Sequence, residues 1–123
     1  MPNCRKAAEY LADAFLICDK LKTGWLATPD VGLEVEHPSL NIKYLELEVE
    51  NLESNLEAFF KELERKPFEG AAHDLANLRL QAEHVEKGGQ INQTFLYRYA
   101  EDLQKQIINQ GILDIVDCQC KQV

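Results

Sequence analysis

The sequence predicts an all-α fold, an antiparallel four-helix bundle built as a single domain over residues 1–123. Apolar residues recur at alternating steps of three and four in four separate segments, which is the period of an amphipathic helix. The 123 residues include only 6 glycines and 4 prolines, too few for a small, turn-rich β-sandwich. With 46% apolar and 28% charged residues, the composition is that of a globular chain.

The first predicted helix covers about residues 3–23, where Asn3 is suited to cap the start and Gly24 to end it. Its apolar positions are Cys4, Ala7, Leu11, Ala14, Cys18 and Leu21. Residues 25–38 then break the helical period, and the Pro-Asp-Val-Gly run at 29–32 has the composition of a tight turn. We therefore predict an irregular or hairpin-like connection over 25–38.

The second predicted helix has the most regular spacing. Its apolar positions are Ile42, Leu45, Val49, Leu52, Leu56, Phe59 and Leu63. Ser39, just after Pro38, marks its expected start, and Pro67 stops it. Because residues 44–50 also alternate with a period of two, the alternative is a strand at 42–49 within an α+β fold. The unbroken spacing of the whole segment favours one long helix.

Two more helices are predicted toward the C-terminus. The third covers about residues 69–87 and is closed by two glycines at 88 and 89. The fourth covers about residues 92–110, with Gly111 as its terminator. The tail at 112–116 is apolar enough to dock but too short to classify. Because the connections between the last three helices are short, neighbouring helices are expected to be antiparallel.

Negative charge is concentrated in one part of the chain. The net charge is -8, and residues 34–64 alone carry nine glutamates against two lysines, a net of -7. Five of these glutamates fall between about 80° and 140° from the apolar seam of the second helix, which makes one stripe along its flank. They are Glu46, Glu50, Glu53, Glu57 and Glu64. Leu47 is an apolar residue outside the seam of the same helix.

These six residues are the predicted partner-binding set. A single-sign charged surface beside an apolar anchor is suited to steer and hold a basic partner. We therefore predict a non-enzymatic protein-interaction module of the inhibitor, immunity or anti-defence kind, which binds a basic surface on a partner protein. The alternative is a solvated face with no partner. Leu16 and Leu80 also lie outside their seams, and a homodimer face would have the same composition.

The four cysteines are at positions 4, 18, 118 and 120. Because both chain ends of an up-down-up-down bundle lie at the same end, we expect Cys4 near Cys118 and Cys120. We expect Cys18 in the core and the other three as reduced thiols, as is usual in a cytoplasm. The alternative is a thiol- or metal-handling bundle that uses Cys4, Cys118 and Cys120, either as a disulfide with one thiol left over or as soft-metal ligands.

Other function classes lack support in the sequence. The acidic balance of 13 basic against 21 acidic residues disfavours direct nucleic-acid binding. No apolar run approaches the roughly 18 residues of a membrane span, so we expect a soluble, cytoplasmic protein. No phosphate-binding loop, nucleophile elbow, zinc-protease motif or calcium loop occurs, and we predict no cofactor and no enzyme. A small α+β enzyme is the alternative if 42–49 is a strand. His73 and His84 are predicted at the surface.

Overall fold

The computed structural model describes residues 2–23 and 38–121, and the side chains of 2–22 and 45–121. These residues form α1 (Cys4–Thr23), α2 (Pro38–Leu63), α3 (Ala71–Glu86), α4 (Gln93–Gln106) and α5 (Ile112–Lys121), with a π-helical turn (Ile107–Gly111) between α4 and α5. The predicted all-α bundle is confirmed for the described part of the chain. The predicted 25–38 connection lies outside the described residues except for Pro38, which is the first residue of α2.

In cross-section, α1, α2, α3 and α4 lie at the four corners of a square. α1 contacts α2 and α4, and α3 contacts the same two helices from the other side. Two edges of the bundle, α1/α4 and α2/α3, therefore lie opposite each other. α4, the π turn and α5 follow one another without a break and form one long fourth rod.

Buried apolar side chains from all the helices form one core. The described seam of α2 is buried throughout, and Leu45, Leu52 and Phe59 have no exposed surface. The side chain of Ile42 lies outside the described residues. The alternative of a strand at 42–49 is wrong, because these residues belong to α2. The three- and four-residue spacing prevails over the local alternation, and Leu47 is left 47% exposed.

The predicted role of Gly111 as a helix terminator is wrong. The chain stays helical through Gly111 to Lys121, so the unclassified tail at 112–116 is part of α5. Gly111 is buried, and a β-carbon at this position would lie 2.9 Å from Leu11 Cδ2 and 3.2 Å from Phe68 Cζ. The residue is small because α1 and the loop before α3 approach the fourth rod closely here. Gly88, by contrast, has φ of 97° just after α3, and its predicted role as a stop is confirmed.

A disulfide joins the first helix to the last. Cys4 at the start of α1 is bonded to Cys118 in α5, with 5.9 Å between their Cα atoms. The predicted proximity of Cys4 to this segment is confirmed, whereas the expectation that both residues are reduced thiols is wrong. Cys18 is fully buried in the core as predicted, and Cys120 is an exposed free thiol.

The position of Leu56 in the core gives a first prediction. Leu56 is 1% exposed in the second half of α2, so Leu56→Ala removes buried methyl groups and leaves a cavity. We expect the free energy of unfolding to fall by about 2–5 kcal/mol in urea denaturation. Leu47→Ala, on the exposed side of the same helix, is the control and should change it by less than about 0.5 kcal/mol. Equal losses for the two variants would contradict the packing described here.

The disulfide gives a second prediction. It joins residues 114 positions apart, so it restricts nearly the whole unfolded chain. We expect the double variant C4S/C118S to lose about 2–5 kcal/mol of unfolding free energy, because opening so long a loop restores chain entropy to the unfolded state. The loss should match that of the wild-type protein in reductant. A Cys120→Ser control keeps the bond and should unfold like the wild type; an unchanged stability of C4S/C118S would show that the bond is not formed.

Candidate functional site

The predicted acidic stripe forms a surface on α2. Four glutamates lie on one side of this helix, and we call them the acidic face: Glu46, Glu50, Glu53 and Glu57. Glu50 and Glu57 are exposed, and Glu46 and Glu53 are partly buried. The face extends over about 16 Å of helix at 1.5 Å per residue. It borders α3, since the side chain of Glu53 reaches that helix.

Ion pairs divide the glutamates of α2 into two groups. Arg79 on α3 pairs with Glu53, and Lys20 on α1 lies 3.4 Å from Glu48 on the other flank of the helix. No described side chain forms an ion pair with Glu46, Glu50 or Glu57. Within the described part of the chain, most of the acidic face thus keeps its negative charge without a neighbouring cation.

Glu64 does not share this face, although the sequence placed it there. It is the first residue after α2 and has φ of 54°, in the left-handed region. Its amide donates to the carbonyl of Lys61, and the amide of Arg65 donates to the carbonyl of Phe60, the two bonds of a Schellman cap. Helical periodicity therefore ends one residue before Glu64, and its side chain belongs to the loop that leads to α3.

A pair of carboxyl groups lies between α3 and α4. Asp74 is only 2% exposed, and Gln106 Nε2 donates to Asp74 Oδ2 at 2.7 Å and to Asp102 Oδ2 at 2.9 Å. Burial raises the pKa of Asp74 to about 7, helped by the hydrogen bond to Asp102 and by the charge of that residue. The same hydrogen bond lowers the pKa of Asp102. The pair therefore holds one proton up to near-neutral pH.

The carboxyl pair borders an open cavity of about 520 Å³. The cavity is lined by His73, Asp74, Thr94, Tyr97, Arg98, Tyr99, Glu101, Asp102 and Lys105. The side chain of His73 is 73% exposed, and His84 is also exposed, so the predicted surface position of both is confirmed. Because Asp74 itself is closed off, a solute in this cavity would meet Asp102 and the surrounding cations first. The arrangement can store a proton near neutrality beside a mixed-charge surface.

Sequence reasoning missed this pair, although a signal was present. Ala71, Asp74, Leu78 and Val85 follow the same helical period and are all buried, so Asp74 occupies an apolar position of α3. A carboxylate at such a position needs a partner, because burying an unpaired charge is strongly unfavourable. The partner could not be identified from spacing alone, since Asp102 and Gln106 lie on another helix.

The candidate metal ligands, Cys4, Cys118 and Cys120, do not form a metal site. Cys4 and Cys118 are bonded to each other and have no thiolate to offer. Burial raises the pKa of Cys18 to about 12, which keeps that thiol protonated. Cys120 is exposed. Among the described residues, no cluster of three or more His, Cys, Asp or Glu side chains is arranged to hold a metal ion.

Comparison with known proteins gives no relative from which a role could be transferred. No protein-family model matches the chain, and neither the curated proteins nor the solved structures contain a significant match. Across the described residues, no helix combines the length and the apolar character that crossing a membrane requires.

The carboxyl pair predicts how stability depends on pH. The folded-state pKa of Asp74, about 7, lies above the value of about 4 in an unfolded chain. The folded form thus binds the extra proton, and its stabilisation is present in full below about pH 4 and lost as pH rises through 7. We expect the unfolding free energy to be about 2–3 kcal/mol lower at pH 8 than at pH 5, measured by urea denaturation.

Asp74→Asn imitates the protonated carboxyl group and should remove this pH dependence, making the variant more stable than the wild type at pH 8. Asp13→Asn, at an exposed position of α1, changes the net charge equally and should leave the slope unchanged. A wild-type unfolding free energy that is flat between pH 5 and pH 8 would show that the pair does not share a proton.

Proposed function

We propose that this chain is a non-enzymatic protein-interaction module whose acidic face binds a basic surface on a partner protein. The observation that carries the proposal is the absence of described counter-charges at Glu46, Glu50 and Glu57, beside Glu48 and Glu53, which do have them. Within a helix, glutamates four apart repel each other by a few tenths of a kcal/mol. Cations supplied by a partner would relieve this repulsion on binding.

The surroundings of the acidic face support a protein partner. Leu47 is 47% exposed and lies about 60° around α2 from Glu50, close enough to serve as an apolar anchor beside the charges. Exposed charges act over about 8 Å at physiological ionic strength, so they favour a partner that brings several cations to the same surface. By class analogy alone, this description fits small acidic inhibitors, immunity proteins and anti-defence proteins.

The cytoplasmic location expected from the sequence is part of this proposal. The Cys4–Cys118 bond argues against this location, because structural disulfides persist mainly in oxidising compartments. The redox state of these two thiols in freshly lysed cells, trapped by alkylation, would test the location independently of binding.

The acidic face gives a prediction for binding. We expect peptides selected from a random displayed library against the immobilised protein to be enriched in lysine and arginine. The triple variant E46Q/E50Q/E57Q should bind the selected peptides about tenfold more weakly, mainly through slower association, and the difference should shrink as salt is added.

The control variant is E9Q/D13N/E69Q, which removes the same three charges from exposed positions on α1 and in the loop before α3. It should bind the selected peptides nearly as well as the wild type. If both variants lose affinity equally, net charge and not the acidic face is responsible. Selection of peptides without basic enrichment would reject the proposed function.

A further inference from the structure

The C-terminal half of the fourth rod, from 107 to 120, has an uncharged outward side. Between 107 and 120, all eight exposed residues are apolar, amide or cysteine side chains, in a chain with 28% charged residues. The large apolar ones are Ile108, Ile112, Leu113 and Val116, which are between 47% and 62% exposed. A solvated helix normally turns charged residues to this side. We call this surface, together with the groove described next, the apolar face.

A groove continues this surface onto α1. It has a volume of about 480 Å³ and lies between the fourth rod and α1, where Ala12, Phe15 and Leu16 line it. Leu16 is 58% exposed at its edge. The groove and the rod together make one contiguous apolar area, whereas Leu80 on α3, with a similar exposure of 59%, does not line the groove.

The acidic residues of α5 are held by ion pairs on the flank next to α2. Arg65, in the loop after α2, pairs with Asp117 and lies 3.9 Å from Asp114, which is 7% exposed. Cys118 is fixed on the same side by its bond to Cys4. These contacts hold α5 in one rotation about its axis, so its apolar side faces outward as a consequence of the fold.

We propose that two copies of this chain associate through the apolar face. Each copy carries a net charge of -8, so two copies repel each other wherever acidic surfaces meet. The eight exposed residues of 107–120 are uncharged, and Asp117 at their border is paired with Arg65 and Lys121, so copies can approach there with little repulsion between like charges. The same uncharged surface can serve both copies, as a two-fold symmetric interface requires.

The size of the face sets the strength of the association. A standard interface buries about 800 Å² and 20–30 residues on each partner, about a tenth of the 7810 Å² surface of this chain. The apolar face has about a dozen residues, which is enough for the apolar centre of an interface but not for its rim. The dimer is therefore a reversible one, with a dissociation constant on the order of 1–100 µM.

The test is sedimentation equilibrium of the whole chain with Cys120→Ser as background, which prevents disulfides between copies. We expect the mass to rise from 14.1 kDa toward twice that value as the protein is concentrated from about 1 µM to about 500 µM. Leu113→Glu places like charges within the interface and should weaken association at least about a hundredfold. Leu80→Glu is the matched control and should leave it unchanged.

The dependence of the affinity on salt concentration distinguishes this association from one held by opposite charges. Because the two copies repel each other, screening should tighten the dimer as salt is raised, whereas binding of a basic partner to the acidic face should weaken. The proposal is overturned by a monomer at all concentrations, by a dimer that Leu113→Glu does not weaken, or by a dimer that salt dissociates. A monomer that binds a basic amphipathic peptide in the groove would assign the face to another partner and would also overturn it.

Discussion

The contact between α1 and the long rod of α4, the π turn and α5 determines most of the surface that the molecule presents. Near its middle, the buried Gly111 lets the backbone of the rod approach the side chain of Leu11. Toward one end of the contact, Gln104 is buried and donates to the carbonyl of Phe15. At the other end of the contact, the disulfide bonds α1 to α5. With the rod held at three levels, the direction of every side chain on α5 is fixed, and an apolar surface is left outside the core.

The sequence predicted what depends on local periodicity. The helical seams, the buried cysteine at 18 and the exposed Leu16, Leu47 and Leu80 all follow from steps of three and four along single helices. The predictions are wrong where contact with another element, or the end of the helix, determines the structure. A glycine at the end of a periodic segment is a stop in isolation, but Gly111 is a packing position because α1 lies against it. Likewise, the helical angle of Glu64 has no meaning once the chain turns left-handed at that residue.

The candidate sites show the same division. The acidic face could be found from spacing because its four glutamates lie on one helix. The carboxyl pair and the apolar face could not, because each combines residues of different helices: Asp74 with Asp102, and Leu16 with Ile112. The acidic face and the apolar face lie over opposite edges of the bundle, α2/α3 and α1/α4. If two copies associate through the apolar face, both acidic faces stay accessible, and the pair can hold one partner at two places with a gain in avidity.

The bond between Cys4 and Cys118 also has a mechanical consequence. A tension applied to the chain outside these two residues passes through the sulfur–sulfur bond, and the 113 residues between them carry none of it. A machine that unfolds proteins by pulling on one end would have to thread a closed loop, with two strands of chain in its channel at once. Reduction of this single bond would convert the molecule from one that resists such pulling to one that can be unravelled from α1 inward.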